Sequence, residues 1–255
     1  MGIKNIFSFL LIIVISTLGM AQNQKYIGLD IGPKVDWYRL ATGGSRPYSP
    51  SLNLHNPIGA SFGIIGGIKI DNKILLETAI IKSDFRTNID IINEDGKRYF
   101  VNTPINTFTS YMIPFNFNFI KPIQKKYDTH YWYSGIGITT LVKKKLGLDQ
   151  TYISPEVFVD ENDLTQGSIQ YTITGNDFDA DLIMFNLNAG YQYPLNEGIM
   201  INVSMQLRAG VAGNNFFDLT YKTPQYSAIQ NTIYTSGSGI QFNIGFRYFI
   251  ENEDI

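Results

Sequence analysis

Few residues in this chain are equipped for covalent chemistry. It has two histidines, His55 and His130, and no cysteine in 255 residues. Disulfides, thiolate metal sites, a cysteine nucleophile and a lipid-modified N-terminal cysteine are therefore excluded. Acyl transfer or deacylation needs a hydroxyl, an imidazole and a carboxylate joined by hydrogen bonds. His55 stands near Ser49 and Ser51, but no carboxylate is patterned to complete that relay. The series Asp177-Phe178-Asp179-Ala180-Asp181 matches the start of a calcium loop, in which alternate carboxylates converge on one cation. The glycine required next is replaced by Leu182. A solvated acidic rim is the expectation, and no metal is assigned, with Asp177, Asp179 and Asp181 the candidates for one. No glycine-rich phosphate loop, zinc spacing or nucleophile elbow is present. The expectation is a non-enzymatic protein without a cofactor.

What remains is charge pairing. Asp30, Lys34, Lys69, Glu77, Arg208 and Arg247 each fall in a segment of alternating apolar and polar residues, on the polar parity. Side chains alternate faces along a β-strand, so these segments read as strands with one greasy and one wet face. The last of them, 240–250, sets the pattern. Ile240, Phe242, Ile244, Phe246, Tyr248 and Ile250 share one face. Gln241, Asn243, Gly245 and Arg247 share the other, with Phe249 as the exception. Seven earlier segments repeat this at 26–37, 60–70, 74–85, 108–120, 130–143, 181–193 and 199–211. Pro33 lacks a ladder donor and predicts a bulge or kink in the first. In the third, Ile74, Leu76 and Ile80 are expected outside and Glu77 inside.

Long connections at 38–59, 86–107, 144–180 and 212–237 alternate with short ones at 71–73, 121–129 and 194–198. Membrane barrels of diderm bacteria show this asymmetry, with long extracellular loops and short periplasmic turns. The fold expected is an eight-stranded antiparallel up-and-down transmembrane β-barrel. A soluble β-sandwich shows the same alternation. It must then explain why the wet faces carry mostly Gly, Asn, Ser and Gln rather than surface Lys and Glu. Charged residues are 16% of the chain, below the roughly 25% of soluble domains, which favours the barrel. Interface girdles want Trp and Tyr at strand ends. Tyr26, Tyr131, Trp132, Tyr191, Tyr193 and Tyr248 fall at the expected turn end, and Trp37, Tyr38 and Tyr111 at the loop end. The six lumen charges are expected to form a salt-bridged plug, since about eight strands leave little more than room for side chains. Arg247 needs a carboxylate, with Glu77 or Asp30 the candidates.

Residues 1–21 read as a secretory signal peptide: Lys4, an apolar run at 6–18, then Gly19-Met20-Ala21 before the cut. That apolar run is short for a helical span of about 20 residues. Residues 22–250 form the expected barrel and 251–255 a short tail. The net charge of -2 gives no sign of nucleic-acid binding.

Three stretches, the Ala21-Gln22 junction, Tyr111-Met112-Ile113-Pro114-Phe115 and Tyr133-Ser134-Gly135-Ile136-Gly137, resemble the small outer-membrane β-barrel proteins of Bacteroidota, which include PorT-like barrels. The end of the chain is similar to the signal read by the barrel assembly machinery, with Asn243, Gly245, Tyr248 and Ile250 in the matching positions. The resemblance implies an integral outer-membrane protein, with that machinery as a partner during biogenesis. Outer-membrane lipid and lipopolysaccharide are further expected partners; Lys143-Lys144-Lys145 reads as a solvated strand end, with pairing to anionic lipopolysaccharide groups the alternative. The function expected is a loop-presenting binding or structural protein, or a subunit of a larger envelope complex. The alternatives are a narrow channel for small solutes and an outer-leaflet lipid hydrolase.

Overall fold

A computed structural model shows the chain as a closed antiparallel barrel. It describes residues 24–40, 51–56, 58–70, 72–86, 88–92, 98–101, 107–124, 129–142, 149–155, 168–175, 183–196, 198–210, 214–223 and 226–250. Eight strands build the wall: β1 (Gln24–Leu40), β3 (Ile58–Ile70), β4 (Ile74–Arg86), β7 (Thr107–Gln124), β8 (Thr129–Val142), β11 (Ile183–Pro194), β12 (Ile199–Gly210) and β14 (Tyr226–Ile250). Each pairs with the next in chain order, and β14 pairs with β1 from Lys25↔Ile250 to Leu40↔Ile233 to close the ring. Closure satisfies the backbone of both terminal strands, which an open edge in lipid would leave bare.

The wall forms as its alternation dictates. Ile31, Ile136 and Ile244 point outward at 62%, 64% and 59% exposure. Lys34, Lys69, Arg208 and Arg247 point inward at 2% or less. Soluble monomers rarely expose apolar patches beyond a few hundred Å². Here outward apolar side chains run around all eight strands, the belt of a transmembrane barrel. In β4, where Leu75 and Leu76 are adjacent, Leu75 is buried inside with Glu77 while Ile80 faces out at 60%, as the cost of a lipid-facing carboxylate requires.

The turns follow local chemistry. Asn72 takes φ 53° in the β3–β4 turn, which Lys73 N–H closes onto Ile70 O at 3.0 Å. Asparagine tolerates this left-handed region better than most residues. In the β11–β12 turn, Asn196 Oδ1 accepts the N–H groups of Gly198 and Ile199 at 3.0 and 2.8 Å.

Three expectations need correction. The register does not shift at Pro33: β1 runs unshifted against β3 from Gln24↔Lys69 to Val35↔Ile58, while its pairing with β14 skips Gly32 and Pro33 between Ile31↔Ile244 and Lys34↔Gln241. The irregularity lies against β14 between Asp36 and Tyr38, where Gly237 adopts φ 73°. Pro33 points outward within an unshifted register, so its missing donor forces no bulge. Second, the girdle loses two members, because Tyr26 is 3% exposed and turns inward, and Lys69 Nζ lies 3.5 Å from the inward Tyr131 ring. Both rings share the parity of their strand's inner face. Third, the connections are not plain loops. β2 (Ser51–His55), β5 (Asn88–Ile92) and β6 (Arg98–Val101) pair into a separate small sheet. β9 (Asp149–Pro155), β10 (Ser168–Gly175) and β13 (Asn214–Thr223) extend the main sheet from the upper half of β14. β14 therefore begins at Tyr226, not at 240, and projects beyond β12, whose pairing with it stops at Arg208↔Gly239.

Candidate functional site: the charged lumen

The lumen holds two ionic clusters, one toward the short turns and one toward the loops. At the turn end, β14 places Arg247 diagonally across from Asp30 on β1. Its Nη1 and Nη2 donate to the two carboxylate oxygens at 2.6 and 3.0 Å, a fork-to-fork pair that fixes both charge and orientation. Its Nε donates to Glu77 Oε1 at 3.4 Å. Glu77 also accepts from Tyr26 OH at 2.7 Å and from Asn118 Nδ2 at 3.2 Å. Both expected carboxylate candidates for Arg247 are therefore engaged together.

At the loop end, Asp36 is the shared carboxylate. Lys34 Nζ pairs with one oxygen and Arg208 Nη2 donates to the other at 2.8 Å. Arg208 Nη1 donates to Gln241 Oε1 at 2.8 Å, and Gln241 Nε2 donates to Asn243 Oδ1 at 2.7 Å. A buried ion pair gains only when its remaining polar atoms are satisfied, and Gln241 takes up one of the Arg208 nitrogens. Of the six charges singled out from the sequence, five join these clusters. Lys69 stands apart: its ammonium packs over Tyr131 and lies 5.8 Å from the Phe249 ring, with no carboxylate in salt-bridge range among the described residues. Asp36 and Tyr26 were missed as members. Parity alone places both inside, so the signal was present.

Glycines make the room. A Cβ at Gly245 would overlap Asp30 Oδ1, and one at Gly67 would overlap the Tyr26 hydroxyl. Large inward side chains thus lie over glycines of neighbouring strands. Between the clusters a cavity of about 40 Å³ remains, walled by Asp30, Glu77, Arg247, Asn188, Gln206 and Asn243. Since one water needs about 10–15 Å³ of such volume, only a few waters fit. Leu75, Met112 and Met184, all at 0% exposure, stand on the inward parity of their strands.

The remaining candidates lie elsewhere. Asn243 faces the lumen; Tyr248 and Ile250 face outward at 57% and 48%. His55 is exposed at the end of β2. His130 is on the outer wall, covered by aromatic rings: it bonds Tyr191 OH through Nδ1 and meets Tyr193 edge-on at 4.8 Å. The two histidines therefore do not share a site. Asp177, Asp179 and Asp181, Ser49, Lys143-Lys144-Lys145, the expected leader 1–21 and the expected tail 251–255 lie outside the described residues.

No family model matches the sequence, and no curated protein matches it. Among solved structures, the chain is similar to the outer membrane protein OprG from Pseudomonas aeruginosa, at 10% identity and TM-score 0.44, over 90% of this chain and 96% of that one. It is also similar to the N-terminal β-barrel domain of Pseudomonas aeruginosa OprF, at 9% identity and TM-score 0.38, over 90% of this chain and 100% of the other. Neisserial surface protein A gives 9% identity and TM-score 0.37, over 88% and 96%. Likeness at this level says nothing about what the chain does.

Proposed function

We propose that the protein is a non-enzymatic integral β-barrel of the outer membrane of a diderm bacterium, whose loop-end strands present a binding surface or dock it into a larger envelope complex. The observation that carries this reading is a filled lumen inside an apolar belt. Arg208, Arg247, Lys34, Lys69, Leu75 and Met112 are all buried within 2% exposure, in a wall whose outer face is made of Ile, Leu and Phe. A lumen packed this way supports a scaffold over a conduit. β13, β10 and β9, carried beyond the wall on the upper half of β14, supply the surface. The signal-like end of β14 favours the barrel assembly machinery as a biogenesis partner. Membership among Bacteroidota barrels rests on the sequence stretches alone.

Two measurements test this. Fractionation should leave the protein in the outer membrane and require detergent for release; recovery from the soluble periplasm would sink the reading. Affinity capture from native membranes in mild detergent should return an envelope partner that is lost when residues 149–175 are deleted. Capture unchanged by that deletion would move the binding surface off the loop-end sheet.

A further inference from the structure

The outer wall is not uniformly convex. Across β4, β7, β8 and β11, from β3 to β12, it carries a recess of about 860 Å³. Side chains that point away from the lumen line it, including Leu76, Phe115, Phe117, Ile138, Phe185 and Leu187. Part of the cause lies on the inner face. Gly135 and Gly137 of β8 carry no inward side chain, and a Cβ at either would collide with β7, at Asn118 or Asn116. The wall can sit closer to the axis there than it does over bulkier residues. The outer face adds its own gap: Gly66 is register partner of Thr78, and a Cβ on Gly66 would meet nothing within 4 Å.

We propose that this recess holds the acyl chains of one phosphorylated outer-leaflet glycolipid of the lipid A type, with Lys82 and Tyr111 at its headgroup. The inference rests on the outer-membrane reading above. Depth argues for a lipid. The recess lies between Trp132 and Tyr193 at the turn-end rim and Tyr111 at the loop-end rim, so its occupant enters sideways from hydrocarbon. Breadth argues for more than one chain. Six strands at about 4.8 Å spacing give roughly 24 Å of wall along the arc of the recess. Charge argues for the headgroup. Lys82 is exposed on the lipid-facing side of β4, two outward positions beyond Thr78 toward the loop end. That places it about 13 Å further along the strand, at 3.3 Å per residue. Its register partner is Tyr111, 45% exposed on the same face. A lysine there extends its ammonium to the interface, where the phosphates of the outer leaflet lie. Snorkelling alone explains Lys82 by itself; a cation beside a multi-chain recess is what points to one lipid.

Native mass spectrometry of the full protein, released in mild detergent, reads the outcome. Wild type should retain one lipid A-type glycolipid per barrel. Gly66→Leu combined with Thr78→Leu fills the recess without touching the lumen, and retention should fall about tenfold. Lys82→Gln should weaken retention several-fold for the phosphorylated form and leave a dephosphorylated one unaffected. Heat-modifiable migration of each variant on gels checks that the barrel has closed. Equal retention in wild type and both variants, retention of a phospholipid instead, or a stable dimer sealing this wall would each overturn the proposal. A protein that needs no detergent would overturn the membrane reading itself, whereas one that needs detergent but carries no glycolipid overturns only this inference.

Discussion

Asp30 joins the first strand to the last through a side chain. It receives two charge-assisted bonds from Arg247, and it lies beside Gly245, where no Cβ would fit. Removing it leaves a guanidinium 1% exposed, with Glu77 at 3.4 Å as its remaining carboxylate. Breaking a buried pair on one side costs about 3–5 kcal/mol, because the orphaned charge cannot rehydrate. Asp30→Ala should therefore lower stability by about that amount in denaturant titrations of the folded barrel in detergent. Asp30→Leu with Arg247→Met and Glu77→Gln should regain most of the loss, since apolar and neutral side chains of similar volume leave no buried charge. If the triple variant is as unstable as the single one, burial of unpaired charge is not the mechanism. Gly245→Val tests the same contact sterically. It should leave the barrel unclosed, seen as loss of heat-modifiable migration, and Asp30→Gly in the same chain should not restore closure, because the added Cβ would also overlap the backbone oxygen of Leu29. This gives Gly245 a packing role that is separate from any reading of the final strand by assembly machinery.

At the scale of strands, the alternation carried most of the structure in plain view. A period of two, an even count and the asymmetry of connections were enough to place the eight wall strands and the faces of Asp30, Lys34, Lys69, Glu77, Arg208 and Arg247. The pairing of Arg247 followed, because a buried guanidinium needs a carboxylate and few are inward. The inward turn of Tyr26 was legible too, but tyrosine is favoured both at interfaces and in cores, and only strict parity decides. The strands beyond the wall were not legible. Residues 226–239, which include Tyr226, Ser227, Thr232, Thr235, Ser236 and Ser238, alternate too weakly to show a buried face, because out there no lipid demands one. Their strand state comes from pairing with β13 and β1, a long-range cause that local pattern does not record. Hence a prediction about β14: deleting residues 214–235 should remove the projecting hairpin yet leave a closed barrel. The surviving register, from Lys25↔Ile250 to Asp36↔Gly239, contains the Asp30–Arg247 pair, and the other members of the turn-end cluster lie outside the deletion. Unchanged heat-modifiable migration of the truncated chain is the expected result, and loss of closure would show that the projection helps set the register.

For the molecule as a whole, the question is whether the barrel conducts. Eight strands enclose a space that side chains can fill, and here they do. Two ionic clusters lie one above the other, Tyr26 and Phe249 pack ring to ring at 5.3 Å near the turn end, and the cavity between the clusters is about 40 Å³. For an ion to pass, it must either displace Arg247 from Asp30 and Glu77 or strip its own water, and both steps are expensive in a lumen this narrow. Purified wild-type protein in planar bilayers should therefore be silent. The seal is made of side chains rather than backbone, so it can be removed without altering the wall. Arg208→Ser with Arg247→Ser, together with Asp30→Ser, Lys34→Ser, Asp36→Ser and Glu77→Ser so that neither cluster keeps an unpaired charge, replaces six inward charged side chains by small hydroxyls. The variant should show small, discrete currents while wild type shows none. Steady conductance of wild type would make the protein a narrow channel and the clusters its filter. Silence of both would locate the seal in Tyr26, Tyr131, Tyr133 and Phe249 at the turn end, where the next substitutions belong.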